Sequence, residues 1–251
     1  MNEPWPQAIL LDMDDTILAD GRAVDTCWSL VCDRLQARLA PVAPDAVVAA
    51  IRRQAAWYWS DPERHRRGRL DLPGARQWIV ARAFDTLGIA DDHGLAAQMA
   101  AEYGLERDRM IEPLPGALEA LRKWRELGVK LALLTNGAAQ PQRGKINRFG
   151  LAPLFDCIVI EGEFGVGKPD DRVYWHALSQ LKVQPEKAWM IGDNLEWEVL
   201  APQRLGIKGI WVDQRAVSCP PACEPQPYRI IRALSDLWAD SGQPIPVAHT
   251  Y

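Results

Sequence analysis

The sequence has no apolar run long enough to cross a lipid bilayer, and its first residues lack the basic and apolar regions of a secretion signal. It also has little charge imbalance, since 29 basic residues face 33 acidic ones and the net charge is -4. This balance gives no general attraction to nucleic acid or to anionic membranes. We therefore expect a cytoplasmic protein that binds neither nucleic acid nor membrane.

Cysteine is scarce, with five residues and no regular spacing. This pattern favours free thiols in a reducing compartment over a disulfide framework. Cys219 and Cys223 could pair or bind a metal, but a tetrahedral metal site needs further ligands that their neighbours do not supply. A surface loop is the simpler interpretation, and the role of this proline-rich C-terminal segment stays open.

The 251 residues are 48% hydrophobic and 25% charged, which is typical of a globular protein with a substantial core. From about residue 20 to 112 the apolar residues have helical spacing, whereas helix and strand patterns alternate from Pro113 onward. We predict an α/β fold, a Rossmann-like doubly wound parallel sheet with an inserted all-helical domain. The sheet domain is discontinuous, with residues 1–19 and 113–251, and the helical domain comprises residues 20–112.

The first predicted strand runs from four apolar residues directly into three carboxylates, at Ile9-Leu-Leu-Asp12-Met-Asp14-Asp-Thr16. Residues two apart in an extended chain face the same way, so Asp12 and Asp14 are expected to project together. Two adjacent carboxylates repel unless a cation lies between them or one keeps its proton. The alternative is a solvated turn after an edge strand.

Polar residues fall at the carboxyl ends of three predicted strands, at Asp12, Asp14, Thr135, Asn136 and Asp193. Ligands of doubly wound sheets bind beyond the carboxyl ends of the strands. The sequence therefore predicts a binding or catalytic site at this edge of the sheet.

Four segments together carry a family resemblance. They are Asp12-Met-Asp14-Asp-Thr16, Leu134-Thr135-Asn136-Gly137, Gly167-Lys168-Pro169-Asp170 and Ile191-Gly192-Asp193-Asn194. In this order they resemble the four motifs of the haloacid dehalogenase-like (HAD) hydrolase superfamily, and the helical insertion resembles the C1-type cap of that family. The chain is most similar to the branch that holds N-acylneuraminate-9-phosphatase-like and nucleotidase-like phosphatases.

The resemblance implies roles for the carboxylates. Asp12 would be the nucleophile that forms an aspartyl-phosphate, and Asp14 would protonate the leaving alkoxide and then take a proton from water. Mg²⁺ would bind the Asp12 carboxylate, the Asp14 backbone carbonyl and Asp193, because a hard divalent ion prefers oxygen ligands.

The resemblance also implies that Thr135 and the Asn136 amide hold the phosphoryl oxygens, and that Lys168 offsets the charge that develops in transfer. Taken alone, the Thr135-Asn136-Gly137 segment could be an ordinary turn and Lys168 a solvated lysine. The chain departs from the family pattern at Glu198, where many relatives have aspartate. Glu198 could contact the metal through water, or could be an ordinary acid in the first turn of a helix.

We therefore expect a Mg²⁺-dependent phosphatase of a small phosphorylated metabolite, acting as a monomer or homodimer. The main alternative is a 2-haloacid dehalogenase that uses Asp12 without metal. A halide leaves without a proton, so the presence of Asp14 and Asp193 favours the phosphatase. A non-catalytic binding protein would be expected to have lost a motif, and none is lost. The substrate itself cannot be read from the sequence.

A basic segment in the helical domain, which we expect to connect two helices between Ser60 and Asp71, is a candidate for substrate specificity. Its arginines are Arg64, Arg66, Arg67 and Arg69. One or two of them could contact an anionic, non-transferred part of the substrate. The alternative is that they form a solvated surface.

Overall fold

The structure is a computed structural model that describes residues 5–214, 216 and 225–238. The predictions for Cys219, Cys223 and the C-terminal tail lie outside these residues. The chain forms two compact units. The sheet unit takes its residues from Met1–Ala19 and Glu112–Tyr251, and the helical unit from Asp20–Ile111.

The sheet unit contains eight strands in the described residues. They are β1 (Ala8–Leu11), β2 (Leu18–Ala19), β3 (Glu112–Pro113), β4 (Lys130–Thr135), β5 (Cys157–Ile160), β6 (Ala188–Gly192), β7 (Lys208–Val212) and β8 (Arg229–Ile231). Six of them form a parallel sheet in the order β5-β4-β1-β6-β7-β8, while β2 and β3 form a short antiparallel ribbon. The predicted doubly wound parallel sheet is confirmed.

The described residues form eleven α-helices. They are α1 (Val24–Arg34), α2 (Gln36–Leu39), α3 (Pro44–Trp59), α4 (Pro62–Leu70), α5 (Leu72–Leu87), α6 (Leu95–Met110), α7 (Ala117–Glu126), α8 (Ala139–Arg148), α9 (Glu161–Phe164), α10 (Asp171–Leu181) and α11 (Ala201–Arg204). The helices α1 to α6 belong to the helical unit and the others to the sheet unit. No helix in the described part of the chain is long and apolar enough to cross a membrane.

Strand β1 lies in the middle of the sheet because all four of its residues are apolar and a central strand is buried on both faces. Leu10 pairs with Ala132 of β4 on one side and with Met190 of β6 on the other. These three residues join one apolar core with Tyr174 of α10. This registry brings the carboxyl ends of β1, β4 and β6 together.

The segment from Ser60 to Asp71 is not a connecting loop, and this prediction was wrong. It contains the helix α4, in which Pro62 occupies the first turn and the Asp61 side chain caps the helix by accepting from the Arg64 N–H at 2.8 Å. Proline at the start and aspartate at the cap are favourable helix signals that the high charge of the segment obscured.

Two other elements differ from the sequence expectation. Strand β8 was not predicted, because three residues after a proline-rich segment give too short a pattern. The helix predicted over residues 195–205, with a kink or early end at Pro202, begins as a π-helical turn at Leu195–Leu200 and continues as the short helix α11, which contains Pro202. Proline lacks the N–H that regular α-helical bonding needs, so a change of helical winding near it is expected.

Candidate active site

Asp12 follows the last residue of β1 and is fixed by the sheet. Its backbone N–H donates to the carbonyl of Ile191 in β6 at 3.0 Å, which continues the parallel pairing by one residue. The residue is 8% exposed, and its Oδ1 atom lies 2.6 Å from the Lys168 ammonium. The sheet thus presents a largely buried carboxylate that is paired with a lysine.

Lys168 is fully buried and is held by Asn136, which follows β4. The Lys168 N–H donates to Asn136 Oδ1 at 2.8 Å, and Asn136 Nδ2 donates back to the Lys168 carbonyl at 2.8 Å. Burial alone would lower the pKa of Lys168, but the carboxylates of Asp12 and Glu198 outweigh burial and raise it. The Asn136 side chain therefore positions a charged lysine, and the phosphate contact expected of the Asn136 amide stays a prediction.

Glu198 is the second carboxylate on Lys168. Its Oε1 atom lies 2.8 Å from the ammonium, and its Oε2 atom accepts from the Asn194 N–H at 2.7 Å. The residue is 1% exposed, so it is not an ordinary solvated acid in a first helical turn. Burial raises the pKa of Glu198, Lys168 opposes this rise and Asp12 adds to it.

Asp193 follows β6 and is oriented by a neighbouring strand. Trp211 of β7 donates its indole N–H to the Asp193 carbonyl at 2.8 Å. Although solvent reaches this residue, the atoms packed around it raise its pKa, and the carboxylates of Asp12 and Glu198 raise it further. Around Asp193 the carboxylates of Asp12, Asp15 and Glu198 outnumber the single positive charge of Lys168.

Asp14 lies in the loop after β1 and is held by helix α8. The Lys145 ammonium lies 2.8 Å from its Oδ1 atom, and Gln142 Nε2 lies 2.9 Å from its Oδ2 atom. The same Gln142 nitrogen lies 2.5 Å from Thr135 Oγ1 and 3.0 Å from the Asn136 carbonyl. Thr135 and Asp14 are therefore joined through one side chain.

The sequence reasoning missed Gln142 and Lys145. The composition of α8 could have indicated them, because this helix has few large apolar side chains. Its ten residues are Ala-Gln-Pro-Gln-Arg-Gly-Lys-Ile-Asn-Arg. A helix that covers a sheet normally buries an apolar face. The residues buried from this helix are Gln142 and Ile146, so a polar side chain takes a core position.

The donor set fits a magnesium ion. No group of three Asp, Glu, His or Cys side chains is arranged as a metal cluster in the described part of the chain. Magnesium does not require one, since it is commonly bound by one or two carboxylates and keeps water and phosphate oxygens in its shell. Asp12 and Asp193 supply two carboxylates, the Asp14 carbonyl supplies a third oxygen, and the excess negative charge at Asp193 favours a cation.

The four candidate specificity arginines lie on α4 in the helical unit. Arg64 donates to the Trp57 carbonyl at 2.8 Å, and its guanidinium stacks over the Trp57 ring at 3.7 Å. Arg66 and Arg67 both form ion pairs with Glu63. The Arg69 guanidinium nitrogen Nη1 lies 3.3 Å from His65 Nδ1. These contacts lie within the helical unit, and they do not test a role in substrate binding.

Comparison with known proteins identifies relatives along most of the chain. A family model described as haloacid dehalogenase-like hydrolase matches residues 6–206. Phosphoserine phosphatase of Thermus thermophilus is 34% identical over 228 residues, which cover 82% of this chain and 88% of that protein. N-acylneuraminate-9-phosphatase of Rattus norvegicus is 31% identical over 157 residues, 61% of each chain. Glyceraldehyde 3-phosphate phosphatase of Methanopyrus kandleri is 27% identical over 80% of this chain and 81% of that protein.

Solved structures share the fold. The magnesium-bound HAD hydrolase YfnB of Bacillus subtilis aligns with a TM-score of 0.71 at 21% identity, covering 93% of this chain and 97% of that one. A 2-haloacid dehalogenase of Pseudomonas syringae aligns with a TM-score of 0.61 at 23% identity, covering 92% and 95%. A magnesium-bound hydrolase and a dehalogenase thus share this architecture, so the chemistry must be argued from the residues of the site.

Proposed function

The chain belongs to the haloacid dehalogenase-like hydrolase family and is a phosphoric monoester hydrolase, and we propose that it cleaves a small phosphorylated metabolite with Mg²⁺ through an aspartyl-phosphate on Asp12. The observation that carries the proposal is that Asp14 lies at the site, with donors from α8 on both of its oxygens. A carboxyl group placed there can exchange a proton with an alkoxide or with water. A dehalogenase would have no use for it, because a halide leaves without a proton.

In the first step an oxygen of Asp12 attacks phosphorus and forms a P–O bond, while the bond from phosphorus to the leaving oxygen breaks. Asp14 gives its proton to that leaving oxygen. Lys168 keeps the Asp12 carboxylate oriented, since Asn136 holds the Lys168 backbone and Glu198 contacts its ammonium. In the second step Asp14 takes a proton from water, the water oxygen attacks phosphorus, and the bond to Asp12 breaks with release of inorganic phosphate.

Thr135 is the side chain best suited to a phosphoryl oxygen. Its hydroxyl, at the end of β4, lies 2.5 Å from Gln142 Nε2, and a hydroxyl can donate its hydrogen to a phosphoryl oxygen. We propose that Asp12, Asp193 and the Asp14 carbonyl hold Mg²⁺, which supplies charge neutralisation for the phosphoryl group when bound.

The substrate class is proposed from the relatives. Phosphoserine phosphatase, N-acylneuraminate-9-phosphatase and glyceraldehyde 3-phosphate phosphatase all act on small phosphorylated compounds by their names, and they differ in the part that leaves. We propose a small phosphorylated metabolite of this kind for the present chain. The inserted helical unit would act as a cap that selects it.

The test is a panel of phosphomonoesters, headed by phosphoserine, assayed for phosphate release with Mg²⁺. EDTA should stop the reaction and Mg²⁺ should restore it. Asp193→Asn should raise the Mg²⁺ concentration for half-maximal rate, because an amide oxygen is a weaker ligand than a carboxylate. Asp170→Asn is the matched control, since Asp170 caps α10 and pairs with Arg172. Activity indifferent to EDTA, with chloride release from 2-chloropropionate, would establish the dehalogenase instead.

A further inference from the structure

Helix α8 buries one polar side chain, that of Gln142, and half-buries a second, that of Lys145. Gln142 is 4% exposed, and the Lys145 side chain is 13% exposed. Lysine and glutamine are rarely buried without partners, because transfer of an unpaired polar group from water is costly. Their burial therefore requires an explanation in the residues that they contact.

Both side chains end on Asp14. They are three residues apart on α8 and so lie on one face of the helix. Lys145 Nζ contacts Oδ1 at 2.8 Å and Gln142 Nε2 contacts Oδ2 at 2.9 Å. Each oxygen of the proposed acid is therefore held by a separate donor from a single rigid element.

Gln142 also ties Asp14 to the phosphate side of the site. Its amide nitrogen contacts the Asn136 carbonyl and the Thr135 hydroxyl. A carbonyl only accepts hydrogen bonds, so this contact fixes the NH₂ end of the amide toward Asp14. The distance between the acid and the end of β4 is thereby set by one side chain.

The two carboxylates of the first motif, Asp12 and Asp14, each pair with a different lysine. Lys168 pairs with Asp12 at 2.6 Å, and Lys145 pairs with Asp14 at 2.8 Å. Lys168 comes from the loop before α10, whereas Lys145 comes from α8. The nucleophile and the acid can therefore be oriented independently.

On these contacts we infer that Lys145 and Gln142 are positioning residues that hold Asp14 where it delivers its proton to the leaving oxygen. The inference rests on the proposed phosphatase function. As the bond from phosphorus to the leaving oxygen breaks, the proton of Asp14 passes to that oxygen and Asp14 becomes a carboxylate. The ammonium and the amide then hold this carboxylate in place for the water step.

A purely structural role would give a different result. If the two side chains only dock α8 onto the sheet, their loss would affect every substrate alike. If they position the acid, the fall in rate that follows their loss should be larger for leaving groups that need a proton. An alkoxide needs one, whereas p-nitrophenolate needs little.

The experiment compares kcat/KM for phosphoserine, or the alkyl phosphate that the enzyme hydrolyses fastest, with kcat/KM for p-nitrophenyl phosphate. This constant reports the steps up to release of the leaving group, so the shared water step does not mask the effect. Lys145→Met and Gln142→Leu should each lower kcat/KM for the alkyl ester at least about tenfold more than for the aryl ester. Lys145→Arg, which keeps a charged donor, should restore part of the difference.

Arg143→Met is the matched control on the same helix, since it removes one positive charge that pairs with exposed Glu163. It should leave the ratio of the two constants unchanged. In an Asp14→Asn background, Lys145→Met should lower kcat/KM little further, because both changes disable the same proton donor. Equal losses on both esters, or additive losses in the double variant, would overturn the inference. A wild-type enzyme that hydrolyses no phosphomonoester would instead overturn the proposed function.

Discussion

At the scale of single residues, Lys168 connects three parts of the site. Its ammonium contacts Asp12 and Glu198, and its backbone is held by Asn136. A buried ammonium costs several kcal/mol unless carboxylates compensate it, so the lysine and both acids depend on each other. Glu198 therefore acts through Lys168, a role that its position in the sequence did not indicate.

Asp12→Asn should lower the rate of phosphate release at least about a thousandfold, because an amide is a far weaker nucleophile than a carboxylate. The measurement is kcat on p-nitrophenyl phosphate with saturating Mg²⁺. The variant also removes one of the two acids on Lys168, so its thermal unfolding must be recorded in parallel. A folded variant with several per cent of wild-type activity would show that Asp12 is not the nucleophile.

At the scale of secondary-structure elements, the last residue of β6, Gly192, is packed too closely for a side chain. A Cβ atom on Gly192 would lie 2.1 Å from Glu198 Cγ and 3.0 Å from Asp12 Cβ. Glycine at this point lets the π-helical turn bring Glu198 against the end of β1. The backbone at the end of β6 thus determines how closely Asp12, after β1, and Glu198, in the π-helical turn, can approach each other.

Gly192→Ala should displace Glu198, lower the stability by about 1–3 kcal/mol and reduce activity. The check is denaturant unfolding together with kcat. Gly144→Ala is the control, because a Cβ there meets nothing within 4 Å and alanine should stabilise helix α8 by up to about 1 kcal/mol. Equal behaviour of the two variants would show that the close packing at Gly192 is not required.

Elements and strand ends were predictable from local patterns, but contacts between elements were not. The apolar run before Asp12 predicted β1 correctly, and the alternating helix and strand patterns from Pro113 onward predicted the parallel sheet that this strand joins. The contacts of Lys145 and Gln142 depend on the rotation of α8 against the sheet. That rotation follows from packing across more than a hundred residues of sequence, which no local period records.

At the scale of the whole molecule, the helical unit is one uninterrupted segment whose two ends meet. The segment Asp20–Ile111 leaves the sheet unit after β2 and returns at β3. These strands pair as an antiparallel ribbon, with Ala19 opposite Glu112 and Leu18 opposite Pro113. The helical unit also has an apolar core of its own, built from helices such as α1, α3, α5 and α6.

Replacement of residues 20–111 by Asn-Gly should convert the ribbon of β2 and β3 into a two-residue hairpin, since this dipeptide favours the turn that joins such strands. We expect the shortened chain to fold and to hydrolyse p-nitrophenyl phosphate, while its preference among phosphorylated metabolites falls. Circular dichroism and the substrate panel provide the measurements. A folded chain without activity would show that the helical unit supplies part of the chemistry.

The central place of β1 has a consequence for the order of events on the ribosome. This strand precedes the helical unit in the chain, whereas its two partners, β4 and β6, follow that unit. The helical unit is complete before either partner exists, and domains generally fold as they emerge. The apolar residues Ala8–Leu11 therefore stay without their strand partners until β4 has been made, and unpaired apolar strands of this kind are prone to aggregate in a nascent chain.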